Sequence, residues 1–343
     1  MQRKKFLLSF FCGFLLVVIG FWGLLRWYIP KLKVEGWLQD VLWCKLDIAA
    51  HTPSPKIIVM SGSNAFFGMD SSVLEKKCGF PVVNLAFHAG FPMSLYHYLL
   101  QNVIKEGDII VMPLELTHYS MKSKKNKLQM QVCIGWGKEF FPEEDLLETY
   151  LFYTLPVVWD LYFIKSIPGN IKKFFKEKPM SKTEILDCFQ RSKEAPDEIR
   201  KSNIPSIYDF RNMNKYGDIV LTKNADCTFK QKIDSVPSPL FLEEFDILKS
   251  LVQKKKAKLI LVWPVLFAGY DLQKILDLQQ NCKDKGITIY GDPRKFMFPA
   301  SEFADSHYHL RSTSAKKRTE ILAECLIENG LLTQSAGKRQ ENN

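Results

Sequence analysis

Between Lys56 and Gly68 a continuous apolar run, Ile57-Ile58-Val59-Met60, stops at Ser61-Gly62-Ser63-Asn64. No other feature constrains the chain as tightly. An apolar run of this length without polar alternation suits a strand buried on both faces. The small-residue turn that ends it then stands at the carboxyl end of a sheet, where open α/β folds bind ligands. A hydroxyl held there, that of Ser63, can attack an electrophile when a base lies within reach. The same turn also reads as a plain strand-to-helix junction in which Ser and Asn serve as caps.

The pattern repeats. Residues 70–78 read as a helix, 81–87 as a second strand, 88–92 as a turn and 93–105 as a helix with Leu95, Tyr98, Leu99 and Val103 on one face. Residues 108–113 form a third strand. After a long interruption the rhythm resumes, with a helix from Ser238-Pro239 to about Gln253 and a fourth strand over 257–263. A helix over 271–285, a fifth strand over 287–290 and a last helix over 313–329 follow. Strands alternating with helices imply a parallel sheet with right-handed crossovers. The interruption, about 116–237, reads as a mostly helical and irregular insertion. Its apolar part, 143–165, is either a buried helix pair kinked at Pro156 or a segment dipping into a membrane interface. Residues 181–199 read as a polar helix and 201–236 as long loops; 331–343 read as a disordered tail.

Residues 6–25 carry no charge and are long enough to cross a bilayer, with Trp22, Trp27 and Tyr28 near the far end and Pro30 closing the helix. A cleaved signal peptide is the rival, but no small-x-small site follows. The division expected is therefore an anchor over 1–30, a linker over 31–55 with a short amphipathic piece at 37–43, and one domain over 56–330. Arg3, Lys4 and Lys5 lean the N-terminus to the cytoplasm and the bulk to the envelope side. The net charge of +10 comes from dispersed lysines without a nucleic-acid reader motif, so a surface facing anionic lipid or polymer explains it. None of the eight cysteines forms a CxxC pair, and Gly62 and Gly68 build neither a GxGxxG nor a Walker pattern. No cofactor is expected.

The second informative stretch is Asp305-Ser306-His307-Tyr308-His309-Leu310, which holds two of the six histidines. A serine nucleophile needs an imidazole to take its proton, a carboxylate to orient that imidazole, and amide dipoles to receive the oxyanion. Loops after the first, second and fifth strands supply Ser63, Gly90, Asp305 and His309. With order and strand context included, the chain resembles the SGNH, or GDSL-like, hydrolase superfamily. Ser61-Gly62-Ser63 is similar to its Gly-Asp-Ser block, Gly90 to its oxyanion glycine, and Asp305 through His309 to its Asp-x-x-His block.

The resemblance covers about 55–115 and 238–330. It implies a three-layer, flavodoxin-like α/β fold with about five parallel strands, a large insertion and an N-terminal transmembrane helix. It also implies a serine esterase or O-acyltransferase related to anchored bacterial proteins of surface-polymer acylation. Its substrate would be an acylated carbohydrate or polymer, and a membrane protein could bring the acyl donor. The implied catalytic residues are Ser63, His309 and Asp305, with the amides of Ser63 and Gly90 as oxyanion donors. Three departures stand out. Gly62 replaces the usual aspartate, carboxylate and base are four positions apart, and the Gly-x-Asn-Asp block is missing after the third strand. Asn64 could replace the missing donor. Asp305 could pair with His307 instead, and Glu115 and His307 have either substrate or structural roles. An inactive SGNH-like scaffold is the alternative, and Asp305, His307 and His309 as metal ligands a weaker third.

Overall fold

The structure, a computed structural model, describes residues 2–23, 35–124, 127–134, 136–141, 180–193, 208–221 and 231–332. Two compact units are present, one of residues 1–39 with 125–181 and one of 40–124 with 182–343. The stretch expected as one insertion is thus divided between them, and the apolar segment 143–165 lies outside the described residues.

In chain order, the elements named below are helices α1 (Gln2–Gly23) and α2 (Gly36–His51), strand β1 (Ile57–Val59), helices α3 (Ser63–Phe66) and α4 (Ser71–Cys78), and strand β2 (Val82–Asn84). Next come α5 (Met93–Val103), β3 (Ile109–Pro113), α6 (Leu116–Tyr119), α7 (Lys127–Ile134) and α8 (Lys182–Ser192). The chain continues with α9 (Pro239–Lys254), β4 (Lys258–Val262), β5 (Leu266–Phe267), α10 (Leu272–Asp284), β6 (Ile289–Tyr290), β7 (Met297–Phe298) and α11 (Ser312–Glu328).

The main sheet has the order β2-β1-β3-β4-β6, every pair parallel. Its five strands are those expected, with ends within two residues except in β2, which stops at Asn84, three residues short of the expected end. All side chains of β1, β2 and β3 are buried, as continuous apolar runs require. Helices α4 and α11 pack together, and α5 packs against α9, giving helical layers on the sheet. Breaker residues act where local chemistry places them. Ser238 Oγ accepts the Phe241 N–H at 3.1 Å ahead of Pro239, and the Asp271 side chain caps α10. A buried ion pair fixes the amino edge of the sheet. Lys56 Nζ lies 3.1 Å from Asp108 Oδ2, while Asp108 Oδ1 accepts the Lys56 N–H at 3.0 Å.

In this order the chain reverses direction between β1 and β3, the switch point at which such sheets open a crevice at their carboxyl ends. Ser63 follows β1, the 85–90 loop follows β2 and Glu115 follows β3. A second sheet, β5 paired with β7, stands beside them and was not expected from its two-residue strands.

The expected linker over 31–55 needs correction, because residues 36–51 are helix α2. Val41, Leu42, Cys44, Ile48 and Ala49 are buried, a spacing of one to four residues that gives the helix an apolar face packed into the domain. Among the described residues no helix is long and apolar enough to cross a membrane. Helix α1 starts with Arg3, Lys4 and Lys5, so its uncharged part is residues 6–23, and 24–34 lie outside the described residues. Within α1, Phe6, Leu7, Leu8, Phe10, Phe11 and Leu16 are each more than 60% exposed.

Candidate active site

The turn after β1 is held by groups that arrive from other strands and helices. The first amides of a helix have no partner within it. Here Glu115, wholly buried at the end of β3, supplies one: Oε2 accepts the Gly62 N–H at 3.1 Å and Oε1 the Asn64 N–H at 3.0 Å. From the other side, Arg318 of α11 donates through Nη1 to the Gly68 carbonyl at 3.1 Å and through Nη2 to Asn64 Oδ1 at 2.9 Å. Burial pulls the Arg318 guanidinium down to about 10, so it remains a cation at neutral pH. Asn64 Nδ2 in turn donates to Ser61 Oγ at 2.7 Å and the Pro113 carbonyl at 2.8 Å. Close packing dictates glycine at position 62. A Cβ there would stand 2.4 Å from Glu115 Oε1 and 2.6 Å from Ala89 Cα. The carboxylate of Glu115 therefore fills the space that an aspartate at position 62 would need.

The imidazole comes from a loop closed by an antiparallel bridge between Phe303 and Leu310. The Ala304 N–H donates to the His309 carbonyl at 2.8 Å, and the His309 N–H to the Ser306 carbonyl at 3.1 Å. Val265, Phe298, Phe303, Tyr308 and Leu310 pack under it, so the small β5/β7 sheet is the platform of the loop. His309 Nδ1 lies 2.7 Å from Asp305 Oδ1, and Tyr208 donates its hydroxyl to Asp305 Oδ2 at 3.0 Å. The hydrogen bond from His309 holds the Asp305 carboxyl below the usual carboxylate range. An ionised carboxylate only accepts, so Nδ1 carries the proton and Nε2 offers its lone pair. Burial and the Asp305 charge push the Tyr208 phenol up to about 12, which keeps it a donor.

Of the two pairings left open by the sequence, Asp305 with His309 is the one formed. His307 turns its ring onto Tyr308, at 4.4 Å between centroids, and burial lowers its pKa. Among the described residues no three His, Cys, Asp or Glu side chains form a metal-holding group.

The His309 ring lies 4.6 Å from that of Phe67, whose N–H donates to the Ser63 carbonyl at 3.0 Å. His309 thus packs at the end of the single turn α3 opposite to Ser63. Ser63 is 8% exposed, as is His309, and no hydrogen bond joins Ser63 Oγ to His309. The expected oxyanion donors fare differently. The Gly90 N–H donates to His88 Nδ1 at 2.9 Å, and Asn64 spends its backbone N–H and its side-chain amide inside the turn. The Ser63 N–H, at the first position of α3, has no acceptor among the described residues.

No family model and no curated protein matches the chain. Its function must therefore be argued from these residues.

Glu115, expected to serve either substrate or structure, is part of the turn. It also lies 3.5 Å from His118 Nδ1, and burial lowers the pKa of that imidazole, whose Nε2 is 3.2 Å from the Tyr96 hydroxyl. Sequence reasoning missed Arg318 and Tyr208. Arg318 was findable, because Ala315, Thr319, Leu322 and Leu326 place it on the buried face of its helix. Tyr208 sits in irregular backbone, where no periodicity marks it. A separate concavity of about 540 Å³ between α2 and α8 is lined by Asp47, His51 and Asp187 and touches none of the residues above.

Proposed function

We propose that the chain is a serine esterase or O-acyltransferase of SGNH type that works through an acyl-serine intermediate. The observation that carries this is the Asp305/His309 pair, bonded at 2.7 Å and packed on the turn that Ser63 opens. His309 Nε2 takes the proton of Ser63 Oγ as that oxygen attacks an ester carbonyl. The negative charge on the carbonyl oxygen is received by the Ser63 N–H. Collapse expels the alcohol, which takes the proton from His309, and leaves the acyl group on Ser63. A second hydroxyl or water, deprotonated by the same imidazole, then removes it. One amide donor fewer costs on the order of a hundredfold in rate. With Asn64 and Gly90 engaged, this site is expected to be slow until substrate rearranges the 88–90 loop.

The substrate class is an acylated carbohydrate or other surface polymer. Residues 6–25 would anchor the chain in the envelope membrane, N-terminus in the cytoplasm, beside a membrane acyl-donor protein. Supporting this are the exposed apolar side chains of α1 behind Arg3, Lys4 and Lys5. The 18 uncharged residues 6–23 span about 27 Å as a helix, just short of a ~30 Å hydrocarbon core. A chain lacking residues 1–30 should leave the membrane fraction; if it stays there, the anchor lies elsewhere.

Labelling by a fluorophosphonate tests the chemistry. The native chain should react and Ser63→Ala should not, while equal labelling of both removes Ser63 as nucleophile. An inactive scaffold is the second reading, favoured by the unmade Ser63–His309 hydrogen bond. It requires Ser63→Ala and His309→Ala to leave the biological phenotype intact.

A further inference from the structure

We infer that Tyr208 is a positioning residue for the Asp305/His309 pair: its hydroxyl donates to one carboxylate oxygen and so keeps the other turned to the imidazole. The catalytic consequence rests on the acyl-serine reading, whereas the effect on the carboxylate does not.

A carboxylate bonded only through Oδ1 can turn about its Cβ–Cγ axis and exchange oxygens with little loss. Once Oδ2 accepts the Tyr208 hydroxyl at 3.0 Å, any such rotation breaks a charge-assisted hydrogen bond. The ring of Tyr208 is fixed as well. It stands edge-on to Phe67 at 5.7 Å, and Phe67 is the residue on which His309 leans at 4.6 Å. Phenol, carboxylate, imidazole and Phe67 therefore brace one another in a closed circuit.

Tyr208 is delivered by a segment outside the α/β framework, yet that segment is firmly docked. Phe210, Met213 and Ile219 are buried. Asp218 accepts from the Ser71 N–H, Ser71 Oγ and Asn84 Nδ2 at 2.9, 2.7 and 2.7 Å. Lys45 Nζ donates to the Gly217 carbonyl at 2.6 Å and to the Asn84 carbonyl at 2.7 Å. Gly217 adopts a φ of +92°, and a Cβ there would meet the Asn84 carbonyl at 2.7 Å, so only glycine lets the segment lie this close to β2. The anchorage that holds residues 217–218 against the end of β2 thus also presents Tyr208 to the catalytic loop.

The test uses Tyr208→Phe in the full chain, which keeps the ring contact with Phe67 and removes only the hydroxyl. Carbon-13 NMR of labelled aspartate, with Asp305→Asn to assign the signal, follows the carboxyl titration. Loss of the donor should raise the Asp305 midpoint by about half to one pH unit. At unchanged melting temperature the fluorophosphonate should label Ser63 about three- to tenfold more slowly, within the range set by losing one hydrogen bond. A role in packing alone would not move the carboxyl titration. An unshifted Asp305 signal overturns the inference. A shifted signal with an unchanged labelling rate overturns the positioning role. A shifted signal in a chain whose native form does not label upholds the hold on the carboxylate and sinks the acyl-serine reading instead.

Discussion

Gly62→Ala tests most directly whether the turn that carries Ser63 is built as described. The new methyl would stand 2.4 Å from Glu115 Oε1, 2.6 Å from Ala89 Cα and 2.7 Å from Ala89 Cβ. Ordinary carbon–carbon contact begins near 3.5 Å. Relief therefore needs a shift of roughly 1 Å in a place walled by backbone on one side and a buried carboxylate on the other. Overpacking of this kind costs about 1–3 kcal/mol. Pushing Glu115 aside also strains the bond it accepts from the Asn64 N–H, and a hydrogen bond to a charged group contributes about 1.5–3 kcal/mol. Together the two predict a loss of about 2.5–6 kcal/mol in a urea melt. Glu115→Asp draws the carboxylate back by one methylene, so the double variant Gly62→Ala/Glu115→Asp should lose less than the sum of its parts. Ser63 labelling should fall with the single substitution. A loss below about 1 kcal/mol, or full labelling of Gly62→Ala, would refute the account of the turn.

Arg318→Met should cost about 2–6 kcal/mol, since it strips two buried neutral acceptors, Asn64 Oδ1 and the Gly68 carbonyl, of their donor; a melt within about 1 kcal/mol of native would show that the guanidinium is dispensable. Lys45 gives a pH signature. Burial pulls its ammonium down to about 7 in the folded chain from 10.5, so between these values the unfolded state binds the extra proton and stability rises with pH. Relative to Lys45→Met, native stability should climb by up to about 1.4 kcal/mol per pH unit in that window, and parallel curves would contradict the assignment.

Much of the sheet was legible because its signals are local. Each strand is an apolar run between breakers, and Ser238, Pro239 and Asp271 announce their helices by capping chemistry that acts over three residues. The Asp305/His309 spacing was visible too, although which histidine takes the carboxylate depends on Tyr308 drawing His307 away. What escaped depends on partners distant in sequence. Helix α2 looked like a linker because its buried face is explained only by the domain it covers. Asn64 looked like a free donor, yet Arg318, Ser61 and Pro113 claim its side chain from three elements. Glu115 was ambiguous for the same reason. A carboxylate at the end of β3 acquires its task only when the register of β1 with β3 brings the Gly62 and Asn64 amides beside it.

Glu115 is also the last residue before the chain leaves the sheet for the excursion that begins at Leu116. Two peptide N–H groups flanking Ser63 hang from this one side chain. Any displacement of the strand end at Glu115 would therefore move the backbone on both sides of that hydroxyl-bearing residue together, with no hinge needed in between.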